Sequence, residues 1–155
     1  MRYLALIITM AVAACGGGSH SVAPDLLPPE VELKQIGVRS VGLTGGTLDA
    51  KVAIRNPNGI TIRGTGLRLA LDVQGYRFGE TEWTRGFELA PDSIVTFTVP
   101  VSYEWKTVGL AARSVLGYGE VRYEISGRTY VLLAGENWRF PFARQGSVPL
   151  VKVPG

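Results

Sequence analysis

The stretch Leu48-Asp49-Ala50-Lys51-Val52-Ala53-Ile54-Arg55, running straight into Asn56-Pro57-Asn58-Gly59, decides the fold class. Leu48, Ala50, Val52 and Ile54 alternate with Asp49, Lys51, Ala53 and Arg55. A period of two puts one face of a strand in a core and the other in water. Pro57 lacks a backbone donor and stops the ladder. Asn56 and Asn58 flank it with side chains that bond nearby backbone groups, so the chain turns sharply.

The same period recurs on both sides. Leu67, Leu69, Leu71 and Val73 alternate with polar or small residues, as do Val95, Phe97, Val99 and Val101, and Val121, Tyr123 and Ile125. Turn signals separate these runs at Thr44-Gly45-Gly46, Gln74-Gly75, Ala90-Pro91-Asp92-Ser93 and Ser126-Gly127. With Val31 to Val41, Tyr76 to Thr81 and Thr129 to Leu133 added, about seven strands are expected. The pattern predicts an all-β domain, an immunoglobulin- or fibronectin-III-like antiparallel sandwich, with an eight-stranded barrel as the alternative. One segment departs from the period. Trp105, Val108, Ala112 and Val115 repeat at helical spacing and predict one short helix over Trp105 to Leu116, weakened by Gly109.

Ahead of the domain, Arg2 precedes the apolar run Tyr3 to Val12, which is about half of the roughly 20 residues needed to span a bilayer. It reads as a secretory signal over residues 1–14. Val12-Ala13-Ala14-Cys15 resembles a bacterial lipobox, in which the Cys is acylated and becomes the first residue of the mature protein. The resemblance implies lipidation at Cys15 and attachment to the cell envelope. Gly rather than Asp at position 16 points to the periplasmic face of the outer membrane if the source is Gram-negative. Two or more acyl chains anchor stably where one binds reversibly. Residues 15–29 then read as the lipidated Cys and a flexible Gly/Ser/Pro-rich tether, and residues 30–155 as the folded domain.

The 155 residues carry 16 Lys and Arg against 13 Asp and Glu, a net charge of +3, with the basic residues scattered singly. This does not describe a nucleic-acid surface. With one Cys and one His, the latter (His20) on the tether, no disulfide framework, Cys/His zinc site or Ser-His-Asp arrangement is expected in the domain. Nucleotide-binding loops and the Gly-x-Ser-x-Gly motif are missing too. Glu80, Glu82 and Glu88 lie close in sequence but read as a solvated face rather than an acid/base pair or a Ca²⁺ site. The expectation is therefore of no catalytic residues, no metal, no cofactor and no small-molecule substrate.

A family resemblance rests on order and setting. A strand ends in Asn56-Pro57-Asn58; Ile60, Ile62 and the strand to Val73 follow. Then come the Gly75-Tyr76 hairpin, Leu89-Ala90-Pro91-Asp92-Ser93 leading into Thr96 to Val101, Tyr123-Glu124-Ile125-Ser126-Gly127 and Trp138-Arg139-Phe140-Pro141-Phe142. Over roughly residues 30–150 this resembles the group 2 late-embryogenesis-abundant domain, also called the water stress and hypersensitive response (WHy) domain. The resemblance implies a fibronectin-III-like sandwich, a structural role for the signature turn, no catalytic residues or cofactor, and a part in desiccation and related stress. Client proteins or the membrane itself would be protected through weak contacts. The alternative is an adaptor lipoprotein that binds one envelope protein through an edge strand or an aromatic loop. Trp83 and Tyr118 are the candidate contact residues for such a partner.

Overall fold

The stretch that decided the fold class lies within strand β2, Gly45–Arg55, of a computed structural model that describes residues 25–117 and 119–154. Leu48, Ala50, Val52 and Ile54 are fully buried, as the alternation requires. The other strands are β1 (Glu30–Val41), β3 (Ile62–Val73), β4 (Tyr76–Trp83), β5 (Phe87–Leu89), β6 (Ile94–Glu104), β7 (Gly119–Leu133) and β8 (Glu136–Lys152). They belong to one sheet in the order β4-β3-β7-β8-β1-β2-β6, with β5 beside the start of β3.

All neighbours are antiparallel except β1 and β8, which run parallel over Ile36–Val38 and Leu150–Lys152. This short seam joins β4-β3-β7-β8 to β1-β2-β6. The two outer strands, β4 and β6, then face each other without a ladder. A Cβ added at Gly79 of β4 would stand 3.0 Å from the Ser102 carbonyl oxygen of β6. The sheet is therefore curled nearly into a barrel. The expected all-β class holds, whereas two separate sandwich sheets are not what forms. Alternation is the same in a sandwich and a barrel, so the period could not choose between them.

The inward faces build one core. Leu33, Ile36, Leu48, Ile54, Leu67, Leu69, Leu71 and Ile125 are all essentially sealed from solvent. Each such side chain stabilises the fold by about 1.5–3 kcal/mol relative to exposure. Between β4 and β6 the filling is aromatic. Trp83 stacks on Phe97 with ring centres 5.1 Å apart, and Phe78 meets Tyr103 edge-on at 5.1 Å. Such pairs contribute beyond the area they bury.

Three expected details are corrected. Ser126-Gly127 is not a turn: β7 passes through it and pairs there with both β3 and β8. Strands β5 and β8 are additional to those expected, while the two expected runs Val121 to Ile125 and Thr129 to Leu133 are one strand, β7, so the count is eight rather than seven. The helix is one turn, α1 (Trp105–Val108), followed by a 3-10 segment over Leu110–Leu116. Gly109 divides them with φ +96, a conformation that ends an α-helix.

Candidate functional site

The Asn-Pro-Asn turn sits where β2 leaves the sheet, and its side chains are spent on backbone. Asn56 is fully buried. Its Nδ2 donates to the carbonyl oxygens of Ile60 at 2.7 Å and of Leu89 and Ala90, each at 3.1 Å. Its Oδ1 accepts from the Asn58 backbone N–H and from Asn58 Nδ2, both at 3.0 Å. The Asn56 N–H donates to Ser93 O at 2.9 Å. One side chain thus ties the end of β2 to the loops before β3 and after β5.

Asn58 reaches the other way. Its Oδ1 accepts from the Leu27 N–H at 2.8 Å and its Nδ2 donates to the Leu27 carbonyl oxygen at 2.9 Å. A single amide side chain here pairs with Leu27 as a neighbouring strand would, satisfying both of its backbone groups. The incoming chain is gripped three residues before β1 begins. The local sequence explains why an asparagine pair does this. Pro57 removes the competing N–H between them, and the amides supply both donor and acceptor.

Exposed aliphatic residues cluster at the two ends of the sheet. Beside the Asn-Pro-Asn turn are Leu27, 57% exposed, Ile60, 47%, and Ile94, 60%. Ile94 lies opposite Arg55 in the β2–β6 register, next to the turn. At the opposite end are Val41, Leu43, which is 91% exposed, and Leu110 on the 3-10 segment. Around this second end Trp105 donates from Nε1 to Gly42 O at 2.9 Å, and the Arg113 guanidinium lies 5.2 Å from the Trp105 ring centre. Sequence reasoning missed both clusters. The signal was present for Ile60 and Leu43, aliphatic residues in turns where no alternating strand could bury them.

Of the residues singled out from the sequence, Cys15, His20 and Tyr118 lie outside the described residues. Trp83 closes β4, is half-buried against Phe97, and carries the Arg85 guanidinium 5.2 Å from its ring centre. Glu80 pairs with Arg68 at 3.0 Å and with Arg77 at 3.5 Å, and Glu88 pairs with Arg63 at 3.5 Å. Hydrogen bonding to Glu80 raises the Arg68 pKa, and hydrogen bonding to Asp72 raises that of Arg77. Burial raises the Tyr103 and Tyr123 phenols above their ordinary value. Among the described residues no group of three or more His, Cys, Asp or Glu could hold a metal ion. Nor is any described helix long and apolar enough to cross a membrane.

Two buried polar atoms lack a partner among the described residues, Asp49 Oδ1 and Thr129 Oγ1. The other oxygen of Asp49 accepts from Arg39 at 2.8 Å, and the outward side of Gly37, opposite Asp49 in the ladder, is closed by Val153. These groups are separated by the sheet and do not form a joint site.

A mostly β domain of one curled sheet, with its signature asparagines engaged in holding loops rather than in a cleft, is a class defined by architecture and not by chemistry. The model of the LEA_2 family, Late embryogenesis abundant protein, matches residues 51–146, and the chain belongs to that family. A solution structure of a protein from Arabidopsis thaliana is similar in fold, with a TM-score of 0.62 at 17% identity, covering 86% of this chain and 91% of that one. A crystal structure of a protein from Archaeoglobus fulgidus aligns with a TM-score of 0.49 at 12% identity, over 79% of this chain and 97% of that one. No match was found among curated proteins.

Proposed function

We propose that this chain is a non-enzymatic envelope lipoprotein of the water stress and hypersensitive response type. In this reading residues 1–14 are removed, Cys15 is acylated, and residues 16–25 tether the domain to the membrane, at the periplasmic face of the outer membrane in a Gram-negative cell. The domain protects neighbouring proteins or the lipid surface as water is withdrawn, through weak contacts that do not depend on one partner. The observation that carries the reading is membership of the late embryogenesis abundant family across most of the folded domain, in a chain whose only Cys follows an aliphatic residue and two alanines. The ion-paired outer faces and the absence of a convergent acid, base or nucleophile among the described residues suit a protective role better than catalysis.

Recovery of an unrelated, aggregation-prone enzyme after drying and rehydration tests the protective role, with albumin at equal mass as control. Recovery clearly above albumin is expected; parity with albumin would refute it. Cys15→Ser is expected to release the protein from membranes, and unchanged retention would refute the anchor.

The adaptor reading is favoured by one observation. Residues 136–149 of β8 pair with β7 on one side and have no ladder partner on the other among the described residues. An unpaired edge of this length could accept a strand from another protein. Pro141 within it removes one donor, and Arg139 and Arg144 flank that proline, features that discourage indiscriminate pairing. One protein co-purifying in stoichiometric yield from detergent extracts, and lost on Phe142→Pro, is the result expected of an adaptor and not of a general protectant.

A further inference from the structure

We infer that the tether-receiving end of the sheet, with Leu27, Ile60 and Ile94 around the Asn-Pro-Asn turn, rests on the lipid surface, and that the Leu43–Leu110 end points away from it. The inference deepens the proposed function and rests on its reading of Cys15 as the lipid anchor.

The first support is where the chain enters. The Asn58 side chain holds both backbone groups of Leu27. Leu26 beside it is half-buried against the core, so the tether ends at residue 25 and cannot lengthen without breaking these contacts. Ten residues, 16–25, lie between Cys15 and Leu26. A Gly/Ser-rich segment of this length has a coil reach of about 20 Å and a fully extended limit of about 40 Å.

The second support is the length of the domain. Strand β1 begins at Glu30 near the clamp and ends at Val41 near the opposite end, a run of 12 residues. At about 3.3 Å per residue the strand carries the chain up to about 40 Å from the clamp. To bring Leu43 to the bilayer, the tether would have to run back along the whole domain near its extended limit. Placing Leu27, Ile60 and Ile94 there needs no stretching at all.

The third support is chemical. Three aliphatic side chains about half exposed surround one turn, which costs solvation in water and is relieved at a headgroup–acyl boundary. The charges nearby do not select anionic lipid. Arg55 pairs with Glu30 at 3.1 Å and Arg63 with Glu88 at 3.5 Å, while Asp25 and Asp92 add negative charge. Contact is thus apolar and sustained by tethering, rather than recruited by a basic patch.

The test uses the full-length acylated protein in phosphatidylcholine vesicles. Acylation occupies Cys15, so a single introduced thiol at Ile60→Cys, Ile94→Cys, Leu43→Cys or Leu110→Cys takes a polarity-sensitive dye. All four sites are exposed, and a thermal melt of each labelled protein checks its fold. Dyes at positions 60 and 94 should shift to the blue and lose about half of their emission or more to lipids brominated near the headgroup, with positions 43 and 110 unaffected. Quenching at 43 and 110 instead, or at none of the four in vesicle-bound protein, overturns the inference while leaving the anchor intact. If the unsubstituted protein floats with vesicles no better than Cys15→Ser, the anchor itself fails and the inference falls with it.

Discussion

Replacing Asn56 with Ala would strip a donor from the carbonyls of Ile60, Leu89 and Ala90 and an acceptor from Asn58, all around a fully buried position. Buried groups left unpaired cost more than the net worth of the bonds they made. Asn56→Ala is expected to lower stability by about 3 kcal/mol, with a fall in Tm of about 10 °C, read by calorimetry on the folded domain. Asn58→Ala should cost less, about 1–2 kcal/mol, because Leu27 is half exposed and water can replace the lost bonds. Its distinctive signature is local: faster amide hydrogen exchange at Leu27 with little change in the β2–β6 ladder. Equal protection of Leu27 in both proteins would show that the clamp does not hold the tether. The sequence made a structural role for these asparagines legible, since Asn next to Pro bonds nearby backbone. It could not name partners more than thirty positions away, which the topology alone brings to the turn.

At the scale of elements, the alternating runs were the legible part of this fold, and the glycines were where reading failed. Ser126-Gly127 looks like a turn because Gly and Ser favour turns in general. Here Gly127 sits mid-strand, where an added Cβ would run into the Arg68 carbonyl oxygen of β3 and stand 2.9 Å from the Phe142 ring of β8. The missing side chain lets three strands approach closely, a reason for glycine that only the sheet order reveals. Strand β8 escaped notice for a related reason: Pro141, Gly146 and Pro149 interrupt its alternation, though it pairs with β7 along nearly its whole length. Gly127→Ala should therefore destabilise by about 2–4 kcal/mol in urea unfolding, since backbone must move. Gly59→Ala, at a turn glycine with open space around it, should stay within about 0.5 kcal/mol of the parent. A neutral Gly127→Ala would mean that the β3–β7–β8 packing is looser than the register implies. Gly109 is the more legible case: a glycine weakens a helix interior, and here it ends α1 and opens the 3-10 segment.

For the molecule as a whole, what separates a curled single sheet from a sandwich is how its edges close, and Tyr103 stands where β6 turns toward β4. It is 5% exposed, lies edge-on to Phe78 and to Trp105, and its hydroxyl donates to Ser40 O at 3.4 Å. Tyr123, 8% exposed, lies instead on the interior strand β7, between Val73 of β3 and Gly146 of β8. Burial raises the pKa of both phenols above the ordinary 10.0, so the folded protein keeps their protons at pH values where the unfolded chain releases them. The unfolded state then binds fewer protons, and stability must fall as pH rises. The stabilising effect is complete below the unfolded value and is lost through the interval up to the folded one. Urea midpoints should hold steady with respect to these groups up to about pH 9.5 and decline above it. Tyr103→Phe combined with Tyr123→Phe should flatten that decline, with a small loss at neutral pH, because Tyr123 gives up a hydrogen bond with the Leu33 backbone while the Tyr103 bond to Ser40 is long and both rings remain. If the double variant loses stability with the same alkaline slope as the parent, other groups drive the loss, and the closure around Tyr103 admits water that the burial of its ring does not suggest.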